Sequence, residues 1–172
     1  QNGEIIFEKG FGARNLEENL PMTPNSLIGI GSISKSFTAL LIMILQERGL
    51  LNIESSVAEH LNIEPFVSHP EIKISHLLSH SSGIPSVDGN WLPIAITYGD
   101  YQRIYPVTSR EDYLYHLSET KDEIHFKPGE KFFYNNDMFA LLGEIIEKIT
   151  EKPFEEVLKE EILIPLDMNR ST

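Results

Sequence analysis

Ser32-Ile33-Ser34-Lys35-Ser36-Phe37-Thr38-Ala39-Leu40-Leu41-Ile42-Met43-Ile44-Leu45-Gln46-Glu47-Arg48-Gly49 begins with a hydroxyl residue, is apolar on nearly every side through its middle, and stops at a glycine. These are start and stop signals of a helix, and an apolar surface all round predicts a buried one. Gly29 and Gly31 allow a tight entry. Side chains three apart share one helix face, with Cβ atoms about 5–6 Å apart, so Lys35 can reach the Ser32 hydroxyl. A partly desolvated lysine has a lowered pKa and can serve as a base. The helix N-terminus adds positive potential and unpaired N–H groups near the serine, which favours an alkoxide and an oxyanion. The tetrapeptide is also the ordinary pattern of an N-capping serine followed by a solvated lysine.

Working outward, residues 3–12 read as a short strand with glycines at its far end, and 26–30 as a second extended piece. Downstream, 57–61 and 74–80 read as short helices, 81–85 (Ser-Ser-Gly-Ile-Pro) as a loop, and 127–130 (Lys-Pro-Gly-Glu) as a turn. Phe139, Leu142, Ile145, Ile146 and Ile149 recur at helical spacing over 137–150, and 154–163 predicts a last helix closed by Pro165. The sequence 86–108 has no clear period. Its Trp91, Tyr98, Tyr101 and Tyr105 suit either a substrate-facing lid or a satellite core. The acidic run 151–161 reads as a solvated helix face. The balance is a few early strands followed by helices, too few strands to build a sheet by themselves.

The chain has 172 residues, of which 41% are apolar, enough for one domain with a real core. It has no cysteine, which excludes a disulfide framework, a thiolate zinc site and a cysteine nucleophile. A formal charge of -12 argues against nucleic acid and against an anionic membrane surface as partners. No apolar stretch approaches the roughly 20 residues that a membrane span needs. The start at Gln1 shows no signal-peptide pattern, so cytoplasmic and exported locations both stay open.

A second constellation is Tyr134-Asn135-Asn136, after Pro128-Gly129 and Phe132-Phe133. Tyr134 can relay protons where a lysine stabilises its phenolate, and Asn136 can donate to a substrate carbonyl. The plainer alternative makes Tyr134 a core-edge residue and Asn136 the N-cap of the next helix. His76 and His80 are four apart, but Leu77 stands where the zincin pattern requires glutamate.

Taken together, these residues closely resemble the serine β-lactamase and penicillin-binding-protein superfamily, and within it the class C β-lactamase-related branch of serine hydrolases, D-peptidases and esterases. Ser32-x-x-Lys35 matches the first motif, and Tyr134-x-Asn136 matches the second in its class C form. Residues 76–85 (His-Leu-Leu-Ser-His-Ser-Ser-Gly-Ile-Pro) resemble the family's His-Leu-Leu-Thr-His-Thr-Ser-Gly-Leu stretch. Phe7 to Asn15, Leu142-Gly143-Glu144-Ile145-Ile146-Glu147 and Ile164-Pro165-Leu166-Asp167-Met168 also match, so the resemblance runs along almost the whole chain in the family's order.

The resemblance implies an α/β (α+β) chain with a β-lactamase/transpeptidase-like fold, N-terminal portion only: opening strands of an antiparallel sheet (1–31), the nucleophile helix (32–50) and a mainly helical region (51–172). It implies a serine hydrolase acting through an acyl-enzyme on an amide or ester, with Ser32, Lys35 and Tyr134 catalytic and Asn136 binding substrate. A non-hydrolytic receptor that keeps the fold without turnover is the alternative. The substrate is expected to be a small molecule or peptide, a β-lactam included. His76 and His80 become structural, and neither metal nor cofactor is expected. The third motif, Lys-Thr-Gly or His-x-Gly on a strand, does not occur in these 172 residues. The chain is therefore expected to be an incomplete domain. The C-terminal half would come from a continuation or a separate polypeptide, and the chain alone is expected to be inactive.

Overall fold

The computed structural model describes residues 1–86 and 109–171. The aromatic residues Trp91, Tyr98, Tyr101 and Tyr105 lie outside the described residues. The chain divides into two compact units, Gln1–Ile33 and Ser34–Thr172.

In the first unit, β1 (Ala13–Asn15) pairs antiparallel with β2 (Leu20–Pro21), Ala13 opposite Pro21 and Asn15 opposite Leu20, with an irregularity between them. Asn19, with φ 51°, tightens the connection, and the Asn15 side chain accepts the Glu18 N–H at 3.0 Å. The strand expected over residues 3–12 is not formed, nor is one over 26–30. Apolar alternation makes a strand only where a neighbour supplies ladder bonds. Among the described residues none pairs with 4–11, and Ile5, Ile6, Phe7 and Phe11 are exposed.

The second unit is helical. It contains α1 (Ser34–Glu47), α2 (Val57–His60), α3 (Ile74–Leu78), α4 (Arg110–Ser118), α5 (Asn136–Thr150) and α6 (Phe154–Leu158), the last running into a π-helical turn at Lys159–Leu163. α5 is the hub and packs against α1, α3 and α6. Its Met138, Leu141, Leu142, Ile145 and Ile146 are fully buried. α1 is not buried on all sides. Leu41, Ile42 and Leu45 face the core, whereas Leu40 and Met43 are each 45% exposed. Among the described residues, the helices of this unit cover the Leu41, Ile42 and Leu45 face of α1. The acidic run is solvated, except that Glu161 is half-covered and accepts two bonds from Arg48, at 2.8 and 2.5 Å.

α4 has no counterpart in the sequence reading: Tyr113 and Leu114 pack on the core and Leu117 is fully buried, but over nine residues these positions are too few to register as a period. Its signal is local: Ser109 Oγ accepts the Asp112 N–H and the Asp112 carboxylate accepts the Ser109 N–H, both at 3.1 Å. Ser56 and Glu59 make the same reciprocal cap on α2.

α1 and α3 end in the same device. At α1, Leu50 N–H donates to Leu45 O and Gly49 N–H to Gln46 O, both 3.0 Å, with Gly49 left-handed at φ 70°. At α3, Ser81 N–H donates to His76 O at 2.8 Å and His80 N–H to Leu77 O at 3.2 Å, with His80 at φ 53°. This is the Schellman pattern, in which glycine usually takes the left-handed position.

Gly83, at φ 82°, is required for a further reason: a Cβ there would lie 2.3 Å from the Phe126 carbonyl oxygen. Gly83→Ala is expected to cost about 2–5 kcal/mol, the sum of a left-handed penalty and overpacking. Gly49→Ala, whose Cβ would meet open space, is expected to cost only about 1–2 kcal/mol. Denaturant unfolding of the two variants checks both the order and the gap.

Candidate active site

The loop 80–85 is buried although it is irregular, so its backbone groups need partners. The segment 125–135 supplies them. His125 N–H donates to Gly83 O at 3.1 Å, Gly129 N–H to Ser81 O at 2.8 Å and Phe133 N–H to His80 O at 2.7 Å. Asn135 completes the seam: its N–H donates to His80 Nδ1 at 3.2 Å and its Nδ2 to Ile84 O at 3.0 Å. These bonds fix Tyr134, which lies between Phe133 and Asn135 in the chain.

Asn135, 1% exposed, is also the N-cap of α5, its Oδ1 accepting the Asp137 N–H at 2.8 Å. The alternative reading of Asn136 as the cap is thus corrected. Asn135 holds the extended φ/ψ of a cap, and Asn136 is the first helical residue. Capping and loop bonds consume Asn135 and leave the Asn136 side chain to meet α1.

Lys35, in the first turn of α1, donates from Nζ to Asn136 Oδ1 at 2.6 Å, across 101 positions of sequence. The same Nζ lies 5.0 Å from the Tyr134 ring centroid and 5.8 Å from that of Phe139. Tyr134 is 44% exposed. The second unit therefore brings together three of the four expected site residues, Lys35, Tyr134 and Asn136. Ser32, the fourth, belongs to the first unit. It is exposed in a 3-10 turn, Gly31–Ile33, that precedes α1 in the chain.

The two histidines do different work. His76 Nδ1 accepts the Lys73 N–H at 3.1 Å at the start of α3. His80 stacks on Tyr134 with ring centroids 4.4 Å apart, and lies 4.9 Å from Phe139 and 5.7 Å edge-on from Phe132. Burial, and then the Lys35 charge, hold the His80 pKa below its ordinary value. A neutral ring accepting at Nδ1 carries its proton on Nε2.

The Beta-lactamase family profile matches residues 1–172. The chain belongs to the Beta-lactamase family. It is 31% identical over 171 residues to a penicillin-binding protein of Bacillus subtilis (strain 168), covering 99% of this chain and 36% of that one. The octameric penicillin-binding protein homologue from Pyrococcus abyssi superposes with a TM-score of 0.83 at 42% identity, covering 98% of this chain and 38% of that one. A D-stereospecific amidohydrolase from Streptomyces superposes at 0.66 with 27% identity, over 83% of this chain and 43% of that one. The chain spans about a third of the length of the curated relatives it matches, 36% and 33% for two of them. It has the β-lactamase/transpeptidase-like fold over the N-terminal portion, with helices and a small two-stranded antiparallel sheet, and its family is one of serine hydrolases.

His80 and Asn135 are the site residues with no role in the sequence motifs. The signal for Asn135 was the amide pair before an apolar helix, which does not say which amide is buried. Asn135→Ala strands the Ile84 carbonyl and the Asp137 N–H, and is expected to destabilise the chain by roughly 2–5 kcal/mol. Asn136→Ala, at an exposed position, is expected to stay within about 0.5 kcal/mol of wild type. Thermal unfolding of the pair tests which amide carries structure.

Proposed function

We propose that the protein is a serine hydrolase that cleaves an amide or ester through an acyl-enzyme. Ser32 Oγ attacks the substrate carbonyl carbon, and Lys35 and Tyr134 take its proton and pass it to the leaving group as the C–N or C–O bond breaks. Water then adds to the acyl carbon by the same route, and Ser32 recovers its proton. Asn136 orients the substrate carbonyl group. The oxyanion is held by the Ser32 backbone N–H and by one donor from the family's third-motif strand, supplied by a continuation of the chain or a separate polypeptide. D-amino-acid peptides, small esters and β-lactams are the substrate classes.

The observation that carries this reading is the meeting of Lys35 with Asn136 at 2.6 Å and with the Tyr134 ring at 5.0 Å. Two motifs far apart in sequence converge on one ammonium group. A Lys35 that merely followed a capping serine into solvent would have no reason to meet Tyr134 and Asn136.

The test is covalent labelling of the full-length protein with a fluorophosphonate, followed by turnover of a chromogenic ester. Ser32→Ala is expected to abolish labelling with almost no change in melting temperature, while Ser34→Ala and Ser36→Ala keep it. A Ser32→Ala variant that still labels would sink the assignment. Lys35→Arg keeps the charge but cannot deprotonate, so acylation is expected to fall at least ~10²-fold, as in Lys35→Ala. Tyr134→Phe is expected to lose turnover and keep the fold. Labelling of wild type without ester turnover would favour the receptor alternative.

A further inference from the structure

His80 breaks a local rule. It occupies the left-handed position of the α3 Schellman motif, where an L-residue with a bulky side chain costs roughly 1–2 kcal/mol and glycine or asparagine is the ordinary choice. The equivalent position after α1 is Gly49. A helix terminator alone does not call for histidine.

What histidine adds is visible in its contacts. The residue is 9% exposed, and its ring lies between three aromatic side chains: Tyr134 at 4.4 Å, Phe139 at 4.9 Å and Phe132 at 5.7 Å. Its Nδ1 accepts the N–H of the residue after Tyr134, and its own carbonyl accepts the N–H of the residue before it, at 2.7 Å. One residue thus grips Tyr134 on both sides along the chain and on one ring face. Lys35 stands 5.0 Å from the centroid of the same ring.

We propose that His80 is a positioning residue that fixes the Tyr134 phenol relative to the Lys35 ammonium. It acts through Tyr134, so the proposal rests on the catalytic reading of Tyr134 given above. Phenylalanine would keep the stack and lose the acceptor, leaving the buried Asn135 N–H unpaired. Asparagine would keep an acceptor near Nδ1 and suit the left-handed backbone, but lose the stack. Only histidine, among residues of this size, supplies both.

The experiment compares wild type, His80→Asn, His80→Gly and Tyr134→Phe in the full-length protein, using p-nitrophenyl acetate turnover, fluorophosphonate labelling rate and thermal unfolding. A residue that only ended the helix would tolerate asparagine with no loss of activity. The positioning role predicts that His80→Asn keeps its melting temperature within a few degrees, while kcat and labelling rate fall about 10–100-fold, the scale of a slightly misplaced catalytic group, with KM little changed. His80→Gly, lacking both acceptor and ring, is expected to be slower still. Wild-type kcat in His80→Asn beside an inactive Tyr134→Phe overturns the positioning role alone. Wild-type kcat in Tyr134→Phe, or no labelling of wild type, overturns the catalytic reading and this inference with it.

Discussion

A buried backbone group must be paired, and the loop 80–85 is buried without being helix or strand. Much of the site follows from how that demand is met. The loop cannot satisfy itself, so it recruits the segment 125–135, whose N–H groups donate to the carbonyls of His80, Ser81 and Gly83. Gly83 lets the two backbones approach this closely, since a Cβ would overlap the Phe126 carbonyl. With the segment held at both ends, Tyr134 has one place to be, and Asn135 is drawn inward to finish the seam. The inward turn of Asn135 caps α5 and sets Asn136 at its first turn, facing Lys35. The Ser-Ser-Gly-Ile-Pro stretch, remote in sequence from Tyr134 and Asn136, is the template that places them.

Much of this was legible in the sequence wherever a local rule and a tertiary need agree. The bounds of α1 and α5 follow from glycine, asparagine and apolar spacing, and the structure places them within three residues of expectation. The expectation over 3–12 failed because strand propensity is a statement about a neighbour, and none of the described residues pairs there. All-round burial of α1 failed on similar grounds: apolarity says that a face wants cover, not that these helices supply it. α4 escaped because its evidence was a cap rather than a period. Motif spacing located Lys35, Tyr134 and Asn136. His80 was invisible as a contact of Tyr134, since the two are linked only through the packing of two loops.

The contrast between Gly49 and His80 shows what the fold gives up around the site. Both residues end a helix by the same pair of hydrogen bonds, yet one position holds the residue that backbone conformation prefers and the other does not. Conformational strain persists where surrounding contacts over-determine it, and His80 has several: its carbonyl accepts the Phe133 N–H, its Nδ1 accepts the Asn135 N–H, and its ring meets a stacked phenol and two further rings. The strain and the crowding are one fact seen from two sides.

The electrostatics of Lys35 complete the argument. Lys35 Nζ donates to a neutral amide oxygen at 2.6 Å, with the Tyr134 and Phe139 ring centroids at 5.0 and 5.8 Å. An amide oxygen orients the ammonium by a hydrogen bond without adding a full negative charge. Arg48 and Arg110, by contrast, are each gripped at two points by a glutamate, as suits charges that only tie helices together. The arginine pairs join helix to helix at the surface, whereas the Lys35 bond joins the first turn of α1 to the first turn of α5 and so sets the distance between the two motifs on which the proposed acyl transfer depends.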